Sequence, residues 1–241
     1  MSPLTGPASL PHRALIVLRW PGGIVRSAWD YATRSTPVHR TETEGDRSDL
    51  PGPLDPAVDD GRIQAAGAGV GPLLHRLYAV TVDGATTGPA ELITAFGQRP
   101  NRATPAYTAT FVKTRGPEDV LTPGDEFVVR MPGPWDGPVR VVDVSPTSFR
   151  LATLDGHLEA GQIEFRAYDE GGALVVEIES HARPGDALSH VLYNLVGVAK
   201  EVQLNLWVET LLQLARRSGG SVSGAVRITT RRVPSAVLTG G

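Results

Sequence analysis

A long amphipathic helix near the C-terminus constrains the fold of this chain most strongly. From Asp186 to about Ser218, apolar residues recur at alternating steps of four and three, which gives one continuous stripe: Leu188, Leu192, Leu195, Ala199, Val202 and Leu206. Asp186 suits the N-cap position, and Gly219 can end the helix. At 1.5 Å per residue the helix would be roughly 45–50 Å long. Such a helix is long enough to cross a whole sheet.

The middle of the chain predicts an antiparallel sheet under that helix. Strand-like runs occur at 73–82, 107–113, 126–131, 138–144, 148–154, 160–168 and 173–180, with a short helix at 89–96 and a candidate edge strand at 225–230. Only short turns separate most of these runs, so crossover helices do not fit between them. Alternating residues predict one apolar face and one solvated face, and Glu177, Glu179 and Arg183 are assigned to the latter. The predicted fold class is α+β.

The first 68 residues are predicted to form an irregular extension of a domain that spans residues 69–241. Residues 41–60 are acidic, rich in proline and almost without large apolar side chains, which is typical of a solvated loop. A short helix is predicted at 25–33. The glycine-rich run at 65–71 lacks the Lys-Ser/Thr pair of a phosphate-binding loop, so it is interpreted as a flexible entry to the next strand.

Composition argues against several classes of function. The chain of 241 residues has no cysteine, which excludes disulfides, thiolate metal sites and cysteine nucleophiles. Its formal net charge of −3 argues against a broad phosphate-binding surface, so no nucleic-acid partner is expected. The sequence has no apolar run of membrane-spanning length and no signal-peptide pattern, so a cytoplasmic protein is expected. These features do not predict an oligomeric state.

Four segments together are similar to a known family. They are 71–78, 133–139, 149–161 and 179–183, and the most specific part, Thr153 to Gly161, fits the pattern T-L-x-G-H-x-E-x-G. Over about residues 69–230 the chain resembles the DUF1990 family, also called UPF0548. That family is grouped with the START-like, Bet v 1-like helix-grip superfamily. The resemblance implies a curved antiparallel sheet wrapped on the long C-terminal helix, with an apolar cavity between them.

The resemblance also implies a hydrophobic small molecule, lipid-like or polyketide-like, as ligand or substrate in that cavity. Members of the superfamily include lipid and hormone carriers, and also polyketide cyclases and aromatases that use no cofactor. No cofactor is therefore expected. The favoured hypothesis is a cofactor-free reaction of secondary metabolism, such as spiroketal formation, another ring closure or a dehydration. The alternative is a non-catalytic carrier, or a scaffold protein whose cavity is filled by its own side chains.

Two histidines and one carboxylate are the candidate catalytic residues. His157 and Glu159 could form an acid–base pair, because histidine titrates near neutrality and a carboxylate can orient its ring. The alternative is a turn in which both residues bond backbone groups. His75 could reach a ligand if it pointed inward, and the alternative is a hydrogen-bonded core histidine. Tyr78, three residues on, should face the other side of the strand from His75. A metal site would need three ligands from His157, Glu159 and His181, and none is predicted.

The candidate ligand-contacting residues are aromatic or apolar, and they are Trp135, Phe149, Leu151, Phe165, Tyr193 and Trp207. Trp135 lies in a turn framed by glycine and proline, where it could close the mouth of a cavity or pack against the hairpin. Tyr193 and Trp207 lie beside the apolar stripe of the helix, where amphipathic groups could orient a ligand. Core packing is the alternative role for Trp207.

Overall fold

One nine-stranded sheet is the framework of the protein. The computed structural model describes residues 36–131, 136–185 and 197–239. In chain order its strands are β1 (Val38–Glu44), β2 (Leu73–Asp83), β3 (Thr110–Arg115), β4 (Glu126–Arg130), β5 (Asp136–Val144), β6 (Ser148–Thr153), β7 (Glu159–Glu170), β8 (Ala173–Pro184) and β9 (Ser221–Val233). The order across the sheet is β1-β9-β2-β8-β7-β6-β5-β4-β3.

The sheet is antiparallel except at one edge, where β1 pairs parallel with β9. Each strand predicted between residues 73 and 180 is present as β2 to β8, with ends that differ by a few residues. The predicted edge strand at 225–230 is corrected. It belongs to the longer β9, which lies inside the sheet because β1 covers its other side.

Two helices cover the same side of this curved, open sheet, which we call the inner face. They are α1 (Pro89–Gln98) and α2 (Gly197–Arg217), and a short α3 (Ser235–Thr239) follows β9. The helix α2 packs on β2, β8 and β9, which confirms the predicted α+β arrangement of a long helix lying on an antiparallel sheet. The predicted helix at 25–33 and the predicted first part of the long helix, 186–196, lie outside the described residues. No helix within the described part of the chain is long and apolar enough to cross a membrane.

Aromatic rings fill the space between the inner face and the two helices. Phe165 of β7 stacks on Phe149 of β6 with ring centroids 4.9 Å apart. Phe96 from α1 and Trp207 from α2 meet the Phe165 ring edge-on at 5.2 and 5.5 Å. A cavity of about 10 Å³ lies among Phe96, Phe149, Phe165 and their neighbours, which leaves room for about one water molecule. Because α1 inserts Phe96, the expected ligand cavity is filled in this described part of the fold.

Residues 45–70, which we call the outer strap, cross the opposite, outer face of the sheet. The strap is fastened at both ends and in between by hydrogen bonds: Gly45 N–H to Arg232 O, the Gln162 side chain to Gly52 O, and Val70 N–H to Pro184 O. Most residues of 41–60 are exposed, as predicted for a solvated loop, but the segment also contains the end of β1 and the first part of the strap, which hydrogen bonds hold to the sheet. The domain boundary near residue 68 stays a prediction.

The prediction that Glu177 and Arg183 form a solvated face is also corrected. Arg166 and Tyr168 of β7 contact Glu177, and the outer strap covers Arg183. The side chains of Glu177 and Arg183 are only 8% and 6% exposed. The Arg183 guanidinium approaches the carbonyl oxygen of Ala66, a strap residue, at 3.5 Å. The physical reason for the error is that alternation along a strand shows which residues share a face, but not what covers that face.

A buried arginine holds the far end of the outer strap. Arg140 of β5 is 2% exposed and donates hydrogen bonds to both carboxylate oxygens of Asp60, each at 2.8 Å, and to the carbonyl oxygen of Val58 at 2.9 Å. Glu126 of β4 supplies a second carboxylate to the same guanidinium. The hydrogen bonds from Arg140, and then those from Arg62, lower the pKa of Asp60.

We expect acid to weaken this attachment. Because the pKa of Asp60 is lowered in the folded protein, its contribution to stability is complete above the unfolded value of about 3.9 and is lost as the pH falls through the lower folded value. Asp60→Asn should therefore flatten the fall in unfolding free energy as the pH decreases below about 5, measured by urea denaturation. The exposed neighbour Asp59 is the control, and Asp59→Asn should keep the wild-type slope. Identical slopes for Asp60→Asn and the wild type would contradict this role for Asp60.

Candidate functional site

The T-L-x-G-H-x-E-x-G motif joins β6 to β7 and holds the returning part of the outer strap. Gln64 of the strap donates its backbone N–H to Thr153 O at 2.8 Å and accepts hydrogen bonds from the Thr153 hydroxyl and the Gly161 N–H at 2.9 and 3.0 Å. Its side-chain amide donates to the carbonyl oxygens of His157 and Glu159 at 3.1 and 3.2 Å. The motif therefore has a structural role in anchoring the strap.

Two glycines of the motif are explained by the backbone around them. A Cβ atom at Gly161 would lie 1.9 Å from the carbonyl oxygen of His181 on β8, so the close approach of the two chains requires glycine. Gly156 has φ 91°, a left-handed conformation that glycine adopts without strain. The motif is thus built to bring β7 against β8 and to turn tightly before His157.

His157 bonds the backbone of Glu159 and not its carboxylate. The ring Nδ1 accepts a hydrogen bond from the Glu159 N–H at 2.9 Å, so a neutral ring carries its proton on Nε2. Burial lowers the pKa of His157, which favours the neutral ring, while the nearby Glu159 charge opposes the shift. This geometry is the backbone-bonded turn that the sequence left open as the alternative. The catalytic role of His157 stays a prediction.

The Glu159 carboxylate instead faces α2 and joins a set of buried and half-buried polar side chains. Gln203 of α2 donates to Glu159 Oε2 at 2.9 Å, and Arg76 of β2 donates to Gln203 Oε1 at 3.1 Å. Tyr78 lies two residues beyond Arg76 on the same face of β2. We call Arg76, Tyr78, Glu159 and Gln203 the inner polar group. It lies between the sheet and the N-terminal half of α2.

Tyr78 is the unusual member of the inner polar group. Its side chain is 0% exposed, and its hydroxyl hydrogen has no acceptor among the described residues, although the Arg76 guanidinium lies beside the hydroxyl oxygen. Burial raises the pKa of Tyr78, and the nearby Arg76 cation opposes that shift. Buried hydroxyls normally have a partner, since leaving one unpaired costs about 1–3 kcal/mol. Strand parity explains why Arg76 and Tyr78 share a face, but nothing in the sequence links either residue to Glu159.

His75 lies on the outer face and does not join His157 and Glu159. Its Nδ1 hydrogen-bonds with Asp49 Oδ1 of the outer strap at 2.9 Å, and its Nε2 with Glu179 Oε1 of β8 at 2.7 Å. The inward orientation that a ligand contact would have required is therefore not observed, because two carboxylates hold the ring on the other side. The expectation that His75 and Tyr78 face opposite sides is met.

The predicted ligand-contacting residues fall into two sets. Trp135 and Tyr193 lie outside the described residues. The others belong to the packed core and are 1–7% exposed: Phe149, Leu151, Phe165 and Trp207. The Trp207 indole N–H is buried without a hydrogen-bond partner in the described part of the chain. Its contact with Phe165 agrees with the core-packing alternative, and a ligand contact for any of these residues stays a prediction.

Residues 105–213 match the sequence model of one protein family. That family is DUF1990, described as a domain of unknown function. The match confirms the resemblance inferred from the motif segments. It runs from the residues before β3 into α2 and includes the whole T-L-x-G-H-x-E-x-G motif, while the outer strap, β2 and β9 lie outside it. No curated protein matches the chain in sequence.

Several solved structures are similar to this chain at low sequence identity. The solution structure of KanY (ms6282) is 12% identical, with 63% of this chain and 99% of that chain covered and a TM-score of 0.43. CalU16 from Micromonospora echinospora is 14% identical, with 60% and 83% covered and a TM-score of 0.32. Ara h 8.0201 is 11% identical, with 56% and 99% covered and a TM-score of 0.32. At these values the similarity says nothing about ligand or activity.

Removing the Tyr78 hydroxyl should not destabilise the ligand-free protein. Because the hydroxyl is buried and has no acceptor among residues 36–131, 136–185 and 197–239, we expect Tyr78→Phe to leave the unfolding free energy unchanged or to raise it by up to about 1 kcal/mol. The control is Tyr168, whose hydroxyl donates to Glu177 at 3.1 Å on the outer face, and Tyr168→Phe should lose about 0.5–1.5 kcal/mol. Denaturant unfolding measures both. A loss above about 1 kcal/mol in Tyr78→Phe would show that the hydroxyl is already satisfied within the fold.

Proposed function

We propose that the protein binds an amphipathic small molecule between the sheet and α2, with the polar end of the ligand at the inner polar group. The observation that carries the proposal is the fully buried Tyr78 hydroxyl, which lies beside the buried Arg76 and has no hydrogen-bond acceptor within the described part of the chain. A buried unsatisfied group costs free energy in the empty protein. A ligand oxygen that accepts a hydrogen bond from Tyr78 would remove that cost on binding.

The inner polar group favours a ligand whose polar end accepts hydrogen bonds. Arg76 is cationic and has only donors, and the Tyr78 hydroxyl is free to donate. The one carboxylate of the group, Glu159, already accepts a hydrogen bond from Gln203. A carboxylate or a carbonyl oxygen suits this arrangement, whereas an ammonium group does not. The surrounding core is apolar, so the rest of the ligand should be lipid-like or polyketide-like.

Ring closure without a cofactor is the finer form of this proposal. Glu159 would act as the acid–base group, because its carboxylate is the one that faces the interior from the motif. Holding a flexible polyketide chain folded would supply much of the rate, as in other cyclisations. Spiroketal formation belongs to this class of reaction. Glu159→Gln, which keeps a hydrogen-bond partner for Gln203, should then bind substrate normally and lose turnover. Unchanged turnover in this variant would show that Glu159 is not a catalytic residue.

A second candidate function is a scaffold protein without a ligand. The filled aromatic core favours it, since ligand pockets usually measure about 300–1,000 Å³, whereas the cavity beside Phe149 and Phe165 measures about 10 Å³. If a ligand does bind, its apolar body has to move α2 or α1 away from the sheet. A saturable binding measurement distinguishes the two candidates.

Binding can be tested with 1-anilinonaphthalene-8-sulfonate, which combines apolar rings with an anionic group, and with oleate as its competitor. We expect saturable fluorescence with one probe per chain and displacement by oleate. Tyr78→Phe and Arg76→Met should each weaken binding about 10-fold, which corresponds to about 1.4 kcal/mol.

The matched control is Arg227→Met, at an exposed arginine of β9. It removes the same charge outside the inner polar group and should bind as the wild type does. If the wild type shows no saturable binding, the binding proposal is wrong and the scaffold function is supported. Equal affinities for all the variants would place the probe elsewhere and contradict the proposed site.

A further inference from the structure

Two histidines and a glutamate form a cluster on the outer face, on the other side of the sheet from the inner polar group. His75 of β2 and His181 of β8 are directly opposite each other in the antiparallel register. Glu179 is two residues before His181, so its side chain leaves the same face of β8. One ligand atom from each of the three residues lies within 4.8 Å of the others. We call these three residues the outer histidine cluster.

We propose that the outer histidine cluster binds a divalent transition-metal ion, with zinc as the first candidate. Two imidazole nitrogens and one carboxylate oxygen are a common zinc ligand set, and a water molecule can occupy the fourth position. The side chains of His75 and Glu179 are 17% and 21% exposed, so an ion can enter from solvent. Oxygen-preferring ions such as magnesium are disfavoured by a set with two imidazoles.

Neighbouring residues already orient two of the three ligands. Asp49 of the outer strap, 4% exposed, hydrogen-bonds with His75 Nδ1. That contact orients the His75 ring so that Nε2 points toward Glu179. In many zinc sites a carboxylate bonded to the second ring nitrogen orients the histidine in the same way. On the other side, Arg166 of β7 donates to Glu179 Oε2 and leaves Oε1 beside His75. The site is therefore supported from both the strap and the sheet.

His181 supplies the third ligand. Its ring stacks on His75 with centroids 4.3 Å apart and an interplanar angle of 10°. Parallel rings do not point at one common ion, so binding requires the His181 ring to tilt toward Glu179. The ion would also replace the hydrogen now shared by His75 Nε2 and Glu179 Oε1, which are 2.7 Å apart. Both changes are local and leave the strands in place.

Cations near the cluster should moderate its affinity. Arg166 contacts Glu179, and Arg231 of β9 approaches Asp49 to 3.5 Å. These arginines offset part of the negative charge that would attract a divalent ion. The cluster should therefore bind zinc reversibly and release it to a chelator such as EDTA.

The test is calorimetric titration of zinc chloride into the full chain, without a histidine tag and after EDTA treatment and desalting. We expect one zinc per chain and a rise in melting temperature on zinc addition. His181→Phe keeps an aromatic ring on His75 but removes the ligand, and it should weaken binding at least about 10-fold. Glu179→Gln should do the same. Cobalt(II) should give visible absorption bands typical of four-coordinate geometry.

His39→Phe, at an exposed histidine of β1, is the matched control and should bind zinc as the wild type does. Tyr78→Phe should also leave zinc binding unchanged, because it lies on the inner face, so failure of the ligand proposal would not affect this one. Circular dichroism checks that each variant is folded. The proposal is overturned if the wild type shows no saturable zinc binding, or if His181→Phe and Glu179→Gln bind zinc as tightly as the wild type.

Discussion

The hydrogen bonds that hold Gln64 between Thr153 and Gly161 are the constraint on which the rest of the structure depends. They fasten the outer strap to the turn between β6 and β7. Because that turn begins β7, the same contacts set where Glu159 enters the inner face. The strap also carries Asp49 to the outer face, where it meets His75. The hydrogen bonds of Gln64 therefore position polar groups on both sides of the sheet.

The two faces of the sheet bury polar groups in different ways. On the outer face, charges are paired with opposite charges, as Arg140 is with Asp60, and this is how buried ions are normally tolerated. On the inner face, the Tyr78 hydroxyl lies between Arg76 and the apolar core and has no acceptor among the residues that the structure describes. Within the described ranges, buried atoms without a partner also occur on the outer face, at Arg150, Gln162 and Arg183. The inner side is preferred for a ligand because Tyr78 adjoins the apolar core between the sheet and the helices.

Much of the fold could be predicted from the sequence, because strand alternation and helix periodicity are local signals. The strands β2 to β8 and the opposite faces of His75 and Tyr78 follow from such signals. The outer strap could not be predicted, since its acidic, proline-rich composition is typical of a solvated loop. Its partners are distant in sequence, as with Asp60 and Arg140. The inner polar group was missed for the same reason, because it needs Arg76 and Gln203 to meet across the core.

The central claim is that a ligand's polar end lies at the inner polar group, and NMR tests it most directly. Oleate can be titrated into protein labelled with ¹³C at the tyrosine ring and ¹⁵N at the backbone. Binding at this site predicts that the largest shifts occur at the Tyr78 ring and at amides near Glu159 and Gln203, while the amides of Asp49 and Asp60 stay unchanged. Absence of shifts at saturating oleate, or shifts confined to the outer strap, would contradict the claim.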